Sequence, residues 1–594
     1  MSKTLIITEK PSVGRDIARV LGVRGKGEGY LFGGEYIVSW AVGHLLTLCE
    51  PDDYNPRLKR WNVHDLPILP EQIRTKPIAK TEAQLKVLIK LIKQADVNSL
   101  ICATDSGREG ELIFRYIYAY AGSAKPVKRL WISSMTDDAI RAGFQNLRPM
   151  SDYDFLYYSA LCRSHSDWLV GINASRAYSI RHDANLPVGR VQTPTLAMIV
   201  TRQKEIDSFV PEDYWEVHVD LSANAGAFLG KWFEPAKKID RLDSKEKAAE
   251  IVKKVKGKAG AVDSIENTRK SAPPPLLHDL ADLQREANKK FGFAAAKTLN
   301  VAQSLYEKHK AITYPRTDSR HLPPDIKLAP IVSNLIRQAS FSQLAISNYQ
   351  LSIRFVDASK VTDHHAIIPT DRMPKGLTSD EAKIYDLVAR RFLAAFHTAH
   401  VQDVTQVVTK VCGECFLSKG TVLVELGWKV LYTGEKNEDK DSQNLPNLKQ
   451  GDEVKVVKAS SKAKKTTPPK PYTEATLLSA MENCGRMVEN EELAAHLKGT
   501  GLGTAATRAA TIERLLQVEY IVRKGKALAP TDKGKMLIGV LPTEITSPET
   551  TGRWEKGLHS INQGKMHPDR FMGSIHKFVN YLVSHSKGVP SRGN

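Results

Sequence analysis

Short apolar runs alternate with amphipathic stretches along the N-terminal quarter of the chain. Thr4–Thr8, Ser99–Ala103 and Arg129–Ser133 are the apolar runs, and each predicts a buried strand. The helical pattern after the first run predicts a helix with Ser12 as its N-cap and Gly22 at its end. Because strands alternate with helices, this part of the chain is predicted to form a parallel α/β sheet with right-handed crossovers.

The pattern changes several times beyond this region. Apolar residues recur at helical spacing in some segments and alternate as in strands in others. Two separate segments have a similar β-rich pattern, which predicts that they form one domain built from discontinuous parts of the chain. The predicted domains are an α/β domain at 1–151, a helical domain that combines 152–212 with 472–594, a β-rich domain that combines 213–272 with 400–471, and a helical domain at 273–399.

Length and charge narrow the class of protein. At 594 residues the chain is too long for one core, and its 42% hydrophobic residues can fill several. The formal net charge of +19 predicts a polyanionic partner, most commonly nucleic acid. A basic protein without a nucleic-acid role is the alternative that charge alone leaves open.

Several classes of site and location are disfavoured. Among the six cysteines only Cys412 and Cys415 have the spacing of a metal-ligand pair, and no second pair completes a zinc site. No Gly-rich phosphate-binding loop of the ATPase type occurs either. We therefore expect neither zinc nor ATP. The N-terminus lacks a signal-peptide layout, and no apolar run approaches the roughly 20 residues of a membrane helix, so we expect a cytoplasmic protein without membrane contact.

A tyrosine close to an arginine is the first candidate for chemistry. Tyr314 lies two residues before Arg316, after a short β-compatible run. A phenol with a pKa of about 10 needs a neighbouring cation or base to act as a nucleophile at neutral pH. Arg316 could supply that charge and could also hold a phosphate with two hydrogen bonds. The alternative is a half-buried strand tyrosine beside a surface arginine.

Three acids form a second candidate site. Glu9, Asp105 and Glu109 follow predicted strands, and working residues in parallel sheets lie beyond the carboxyl ends of strands. Carboxylates suit Mg²⁺, which keeps several waters and binds phosphate oxygens. Lys10 is a candidate phosphate contact beside them. The alternative is that the acids cap helices and that Lys10 is solvated.

Motifs along nearly the whole chain carry a more specific signal, because they occur together in a fixed order. They are Thr8–Ser12, Asp105–Glu111, Val188–Pro194, Ile312–Ser319, His364–Pro369 and Tyr472–Leu477. The chain thereby resembles the type IA DNA topoisomerases, and most closely their bacterial topoisomerase III branch. The resemblance implies a multidomain fold of α/β, α and β parts, with an N-terminal Toprim domain at 1–151 that holds the metal and a gated toroidal body. It also implies that the helical domain at 152–212 and 472–594 binds DNA, that the β-rich domain is a gate or hinge, and that the domain at 273–399 carries the active-site tyrosine.

The resemblance also implies a reaction. Tyr314 would attack one strand of DNA, remain linked to the 5′ phosphate, and allow DNA to pass before the strand is resealed. No ATP is needed, and Mg²⁺ held by Glu9, Asp105 and Glu109 is the implied cofactor. Relaxation of negative supercoils and decatenation of DNA with single-stranded regions are the implied outcomes. Arg316 would hold the phosphate, Lys10 would add a second cation, Glu9 would handle the proton of the 3′ oxygen, and His364 would order the site.

A groove for DNA is implied as well. The expected partner is single-stranded or underwound DNA, a helicase is a candidate second partner, and the protein is expected to be a nucleoid-associated bacterial monomer. Trp61 could stack on a base, although a packed loop tryptophan is the alternative. The residues expected to contact DNA are Trp61, Arg163, Asp167, Arg176, Gly189, Arg190, Val191, Gln192, Thr193, Pro194 and Arg316.

One departure from the family pattern keeps two rival interpretations open. The acidic motif usually reads Asp-x-Asp-x-Glu, but Gly107 stands at the second Asp position, so we expect one bound ion rather than two. A Toprim primase or nuclease would use acids and metal without a covalent tyrosine link. A single-strand-binding protein with a defective metal site would bind DNA without changing its supercoiling. A type IIA topoisomerase is disfavoured because no ATPase motif is visible.

Overall fold

A computed structural model describes residues 2–338, 341, 353–432, 443–498 and 501–589. Its buried hydrophobic residues form separate cores: one on each face of an N-terminal sheet, one inside a β-barrel, and two among helices. No helix in these described ranges is both long and apolar enough to cross a membrane. Separate cores are what a chain of this length requires.

The N-terminal region is a seven-stranded sheet in the order β2-β3-β4-β1-β7-β8-β9, with β5 and β6 in a separate pair. Strand β1 pairs in parallel with β4 and β7, and β7 pairs in parallel with β8. The elements are β1 (Lys3–Thr8), α1 (Pro11–Val20), β2 (Gly25–Gly27), β3 (Tyr30–Gly33), β4 (Tyr36–Trp40), β5 (Leu46–Leu48), α2 (Pro51–Tyr54), β6 (Thr75–Pro77), α3 (Glu82–Lys93), β7 (Val97–Ala103), α4 (Arg108–Tyr120), β8 (Val127–Arg129), α5 (Asp137–Gln145) and β9 (Arg148–Pro149). The predicted parallel α/β arrangement is therefore confirmed for the central strands β4, β1, β7 and β8, whereas β2, β3 and β9 join the sheet in antiparallel orientation.

Two local predictions in this region need correction. The N-cap of α1 is Lys10 rather than Ser12, because Pro11 occupies the first helical position, where its missing N–H costs nothing. The third strand is β8, which ends where the predicted run begins, at Arg129. Leu130 is nevertheless buried, so its apolar side chain serves the core from a loop rather than from a strand. Gly22 has a φ of +73° and ends the helical turn as expected.

The middle of the chain forms a closed antiparallel barrel in the order β10-β11-β14-β13-β12-β15. Two segments far apart in the sequence supply its strands, and a Lys-rich helix packs against it. The elements are β10 (Asp213–Ala223), β11 (Gly226–Trp232), α8 (Lys245–Val255), β12 (Ala259–Ala272), β13 (His400–Val411), β14 (Glu414–Glu425) and β15 (Glu453–Lys465). Cys412 lies in the tight turn between β13 and β14, and both it and Cys415 are free cysteines.

Helices make up most of the rest of the described chain, with one short pair of strands. The helices Asp154–His182 and Gln192–Asp207 share one hydrophobic core with the helices of the C-terminal part. The segment that carries Tyr314 belongs to another core. The elements are α6 (Asp154–His182), α7 (Gln192–Asp207), α9 (Leu280–Phe291), α10 (Ala295–Glu307), α11 (Leu328–Ile336), α12 (Ser379–Ala394), α13 (Glu474–Glu482), α14 (Glu491–Leu497), α15 (Ala505–Gln517), β16 (Ile521–Lys524), β17 (Ala527–Pro530), α16 (Asp532–Val540), α17 (Thr543–Thr546), α18 (Pro548–Asn562) and α19 (Pro568–Gly588). The exact domain boundaries stay a prediction.

Candidate active site

A cleft of about 430 Å³ separates the N-terminal sheet from the segment that carries Tyr314. Glu9 and Lys10 follow β1, and Asp105 follows β7, so two neighbouring parallel strands deliver them to one edge of the sheet. On the opposite side, Tyr314 and His364 lie on adjacent backbone segments. Those two segments are joined by backbone and side-chain hydrogen bonds, including one from Thr313 N to Ile368 O at 2.9 Å.

Tyr314 is enclosed by rings and one cation. The ring of His364 meets the phenol ring edge-on with centroids 4.5 Å apart, and Tyr306 does so at 5.3 Å. The Lys10 Nζ lies 3.7 Å from the centroid of the Tyr314 ring. Burial raises the pKa of Tyr314, and the charge of Lys10 opposes that rise only in part. The phenol is therefore protonated at neutral pH and must lose its proton as it attacks.

Lys10 and His364 both contact the carboxylate of Asp105. Lys10 Nζ donates to Asp105 Oδ2 at 2.5 Å, and His364 Nε2 lies 3.0 Å from the same oxygen. Although burial opposes ionisation, these two partners hold the pKa of Asp105 well below its usual range. Burial likewise opposes the charge of Lys10, but Asp105 and the other groups around it raise the pKa of Lys10. Asp105 and Lys10 are thus a charged pair at every physiological pH.

The pKa of Glu9 is raised, whereas that of Asp105 beside it is lowered. Burial and the negative charge of Asp105 raise the pKa of Glu9 to about 7. Its Oε2 atom is buried and has no hydrogen-bond partner within the described ranges. A carboxyl group of this kind can gain or lose a proton near neutral pH, and its free oxygen can also bind a hard cation.

The three predicted metal ligands are not gathered around one point. Glu109 pairs with His44 on the outer side of the site, and that hydrogen bond lowers the pKa of Glu109. Among the residues that the structure describes, no group of three or more His, Cys, Asp or Glu side chains is placed to hold a metal ion. Asp105 and Glu109 each have a side-chain partner, whereas Glu9 Oε2 is buried and has no hydrogen-bond partner in the part of the chain that the structure describes. Glu9 with Asp105 suits a hard divalent cation, whereas Glu109 would first have to leave His44.

Arg316 is exposed to solvent, and its positive charge acts on Tyr314 two residues away. It makes no hydrogen bond or ion pair with any other described residue. A guanidinium group that is both exposed and unengaged is available to a phosphate.

Arg190 is buried and takes part in a network of ion pairs, rather than being exposed on the surface. Its guanidinium is 2.7 Å from Asp167 Oδ1 and 3.2 Å from Glu555 Oε1, and Glu555 also reaches Arg108 at 3.3 Å. Although burial opposes its charge, the carboxylates raise the pKa of Arg190. The burial of Arg163 beside the network lowers the pKa of Arg163. Of the predicted DNA-contact pair Arg163 and Asp167, Asp167 is thus held by an ion pair with Arg190.

The remaining DNA-contact candidates lie in two places. Trp61 is 46% exposed, and the guanidinium of Arg176 stacks on its ring at 5.3 Å. Arg176 also donates to the carbonyl of Leu58 at 2.7 Å, which fixes the loop that presents Trp61. The other candidates lie just before α7 or in its first turn. Gly189, Val191 and Gln192 are half-buried, and Thr193 and Pro194 are buried.

Sequence reasoning did not single out three residues that the structure brings into this region. His44 binds Glu109, Glu555 joins two arginines, and Asp363 faces Gly107 across the cleft. Asp363 directly precedes His364, so its position beside a recognised motif was a usable signal. Glu555 is 365 residues from Arg190, and no local pattern marks it.

Comparisons with known proteins agree with the motifs. Residues 151–573 match the family described as DNA topoisomerase, and residues 4–135 match the Toprim domain. DNA topoisomerase 3 of Bacillus subtilis (strain 168) is 42% identical over 99% of this chain and 82% of that protein. DNA topoisomerase 3 of Bacillus cereus (strain ATCC 10987 / NRS 248) is 43% identical over the same shares. Toprim domains are generally metal-binding.

A solved structure supports the overall architecture. Full-length topoisomerase I from Thermotoga maritima superimposes with a TM-score of 0.70, covering 98% of this chain and 90% of that chain. At 24% sequence identity this likeness concerns the fold alone. The resemblance drawn from the motifs, and the multidomain fold it implied, are confirmed.

Proposed function

Because the chain belongs to the type IA DNA topoisomerases, in their topoisomerase III branch, we propose that it cuts and reseals one DNA strand through Tyr314. The observation that carries this proposal is the contact of Tyr314 with Lys10 and His364 inside the cleft. A DNA strand that enters the cleft would meet the phenol of Tyr314, the cations of Lys10 and Arg316, and the carboxyl group of Glu9. The pKa of Glu9 is raised to about 7, so this group can be charged or neutral at physiological pH. That set matches the needs of phosphodiester transfer to tyrosine.

In the proposed reaction, the Tyr314 oxygen attacks the phosphorus and the bond to the 3′ oxygen breaks. The phenol releases its proton to solvent water as it attacks, and the departing 3′ oxygen gains one. Glu9, whose pKa is raised to about 7, is protonated in a large share of molecules at neutral pH and can give that proton. On resealing, the same carboxylate takes the proton back from the 3′ hydroxyl. No ATP enters, because the phosphotyrosine link retains the energy of the cleaved bond.

Positive charge around the phosphate comes from both sides of the cleft. Lys10 is fixed by Asp105 at the edge of the sheet, and Arg316, two residues after Tyr314, is exposed. Such preorganised cations stabilise the additional negative charge of the transition state. His364 holds the phenol ring in place and links it to Asp105.

A divalent cation fits the same edge of the sheet. Glu9 and Asp105 would hold it, and we propose Mg²⁺, since both ligands are hard carboxylate oxygens. When bound, the ion supplies positive charge that screens and positions the phosphodiester. Glu109 remains a candidate ligand, on the condition that it leaves His44.

The substrate we propose is single-stranded or underwound DNA. Trp61 offers an exposed ring for stacking, and Arg163 and Asp167 lie along α6 toward the cleft. Relaxation of negative supercoils and decatenation of DNA with single-stranded regions follow if a second segment passes through the break. A monomer suffices for this reaction, and a helicase that exposes single strands is a candidate partner.

The test uses negatively supercoiled plasmid and Mg²⁺ without ATP, with wild type beside Tyr314→Phe. Stepwise relaxation and a covalent protein–DNA complex on a denaturing gel are expected for wild type alone. Tyr306→Phe is the matched control, because it removes the adjacent hydroxyl and keeps the ring that packs on Tyr314. Relaxation by the Tyr314→Phe variant would refute the proposed nucleophile. Strand cutting by wild type without a covalent complex would favour a Toprim nuclease instead.

A further inference from the structure

A second cleft, of about 900 Å³, lies apart from the one that contains Tyr314, and the two share no lining residue in the described part of the chain. Three parts of the fold form its walls: α9, the segment Gly427–Tyr432 after β14, and α13 together with the β16–β17 turn. Helix α9 belongs to the core that includes the Tyr314 segment, whereas α13 belongs to the other helical core. The cleft therefore lies where the two helical cores meet.

Positive charge dominates this second cleft. Among the described residues, six cationic side chains and two carboxylates line it. Both carboxylates already have cationic partners within the protein. Asp282 contacts Arg285 at 2.5 Å, and Glu286 contacts Arg391 at 2.7 Å. A cleft with such an excess of one charge concentrates ions of the opposite sign, so an anionic ligand is expected here.

Three lysines supply the unpaired part of this charge. Lys289, Lys429 and Lys526 make no hydrogen bond or ion pair with another residue of the described ranges. They come from different walls: the last turn of α9, the segment after β14, and the β16–β17 turn. Lys526 reaches across to α9, because its Cε lies 3.9 Å from the place that a Cβ on Gly292 would take. Spaced cations on facing walls suit a ligand that carries several negative charges.

Two aromatic rings complete the lining. Trp428 and Tyr432 are half-buried and meet edge-on, with ring centroids 5.7 Å apart. Trp428 Nε1 donates to the carbonyl of Ala272 at 3.0 Å, which fixes the orientation of the indole. A basic groove with fixed aromatic rings is the usual arrangement for binding single-stranded nucleic acid, because bases stack on the rings while lysines contact phosphates.

We propose that this cleft holds a second single strand of DNA, distinct from the strand that enters the Tyr314 cleft. Lys289, Lys429 and Lys526 would contact its phosphates, and Trp428 would stack on a base. The inference rests on the proposed function, because it assigns a place to a further segment of the same substrate. A strand bound here would touch both helical cores and would therefore bind best while they are together.

A structural role for the lysines is the competing explanation. Lys289 lies in the last turn of α9, and Lys526 lies near the end of that helix, where cations interact favourably with the helix dipole. That role predicts a loss of stability when the lysines are replaced, without any change in DNA binding. An acidic peptide is the competing ligand, and the aromatic rings disfavour it because they offer it no stacking partner.

The experiment measures how many short dT strands bind per protein, by fluorescence anisotropy in EDTA so that no strand is cut. Two strands are expected for wild type. The triple variant Lys289→Gln, Lys429→Gln, Lys526→Gln should lose at least tenfold in affinity at the second site. In wild type, the affinity of that site should fall with salt with a slope of about 2, because each of three contacts contributes roughly 0.7 for a single strand.

The matched control is the triple variant Lys90→Gln, Lys93→Gln, Lys128→Gln. It removes the same charge from exposed lysines of the N-terminal domain that have no partner in the described ranges. Both sites should be retained in this control. Circular dichroism and urea denaturation of each variant establish that it is folded and report any loss of stability.

Several results would overturn the inference. They are one site in wild type, two sites of unchanged affinity in the cleft variant, an equal loss in the control, or displacement of the second strand by a glutamate peptide as readily as by dT. The covalent-complex assay on wild type runs in parallel. A covalent complex with only one strand site refutes this inference alone, whereas two sites without a covalent complex refute the proposed function.

Discussion

Replacing Glu9 with glutamine should stabilise the protein at alkaline pH. The pKa of Glu9 rises from an ordinary 4.5 to about 7 in the folded protein, because burial and Asp105 disfavour its charge. A raised pKa gives stability that is complete below pH 4.5 and is lost as the pH rises through 7. The ionised carboxylate therefore costs about 3 kcal/mol at pH 8 and less than about 1 kcal/mol at pH 5.

Glu9→Gln removes that cost and keeps the shape of the side chain. The assay is urea denaturation in EDTA at pH 5 and pH 8, followed through the transition of the N-terminal domain by hydrogen exchange at β1. We expect the variant to gain about 3 kcal/mol over wild type at pH 8 and little at pH 5. Glu71→Gln, which removes an exposed glutamate charge, is the control and should gain nothing. An equal gain at both pH values, or none at pH 8, would refute the reasoning.

Other predictions concern residues around the cleft. Lys10→Met should lower the cleavage rate by about 10²–10³-fold in a single-turnover assay, because one fixed cation is lost at the phosphate; a loss below tenfold would contradict this. Glu555→Gln should cost about 3 kcal/mol of stability in urea, since it leaves buried Arg190 with one carboxylate instead of two; a neutral result would contradict that pairing. Trp61→Ala should weaken binding of a short single strand by about 1–3 kcal/mol in fluorescence anisotropy, and Trp61→Phe should retain most of the affinity if stacking is the contact.

The sequence predicted the central strands β1 and β7 of the N-terminal sheet well because these strands are largely buried on both faces. A continuous apolar run such as Leu5–Ile7, which is fully buried, has a strong signal in the sequence. The closed barrel was a different case. Its strands were recognisable as β-rich, but closure depends on the order in which two distant segments pair, and that order leaves no local pattern.

The candidate site was predictable in its members and not in its contacts. Motif residues such as Tyr314 and Asp105 were identified, yet the contact of Lys10 with both of them depends on two strands and a distant segment meeting. The same is true of Arg190: its sequence motif predicted DNA contact, whereas its burial between Asp167 and Glu555 depends on a turn and a helix that are 365 residues apart. Spacing rules describe neighbours along one element, and these contacts join different elements.

Several contacts across the cleft are hydrogen bonds, which suits the opening that the proposed reaction requires. They include the bond of His364 to Asp105 and those of Asp325 with Ser134 and Thr136 at 2.8 and 2.7 Å. Each such bond contributes only about 1 kcal/mol net, because water replaces the partner when the surfaces separate. An apolar interface of the same size would oppose opening far more strongly, since its area would return to water. In the proposed reaction, these hydrogen bonds would break while the covalent link at Tyr314 holds the DNA end, and they would form again when the cleft closes.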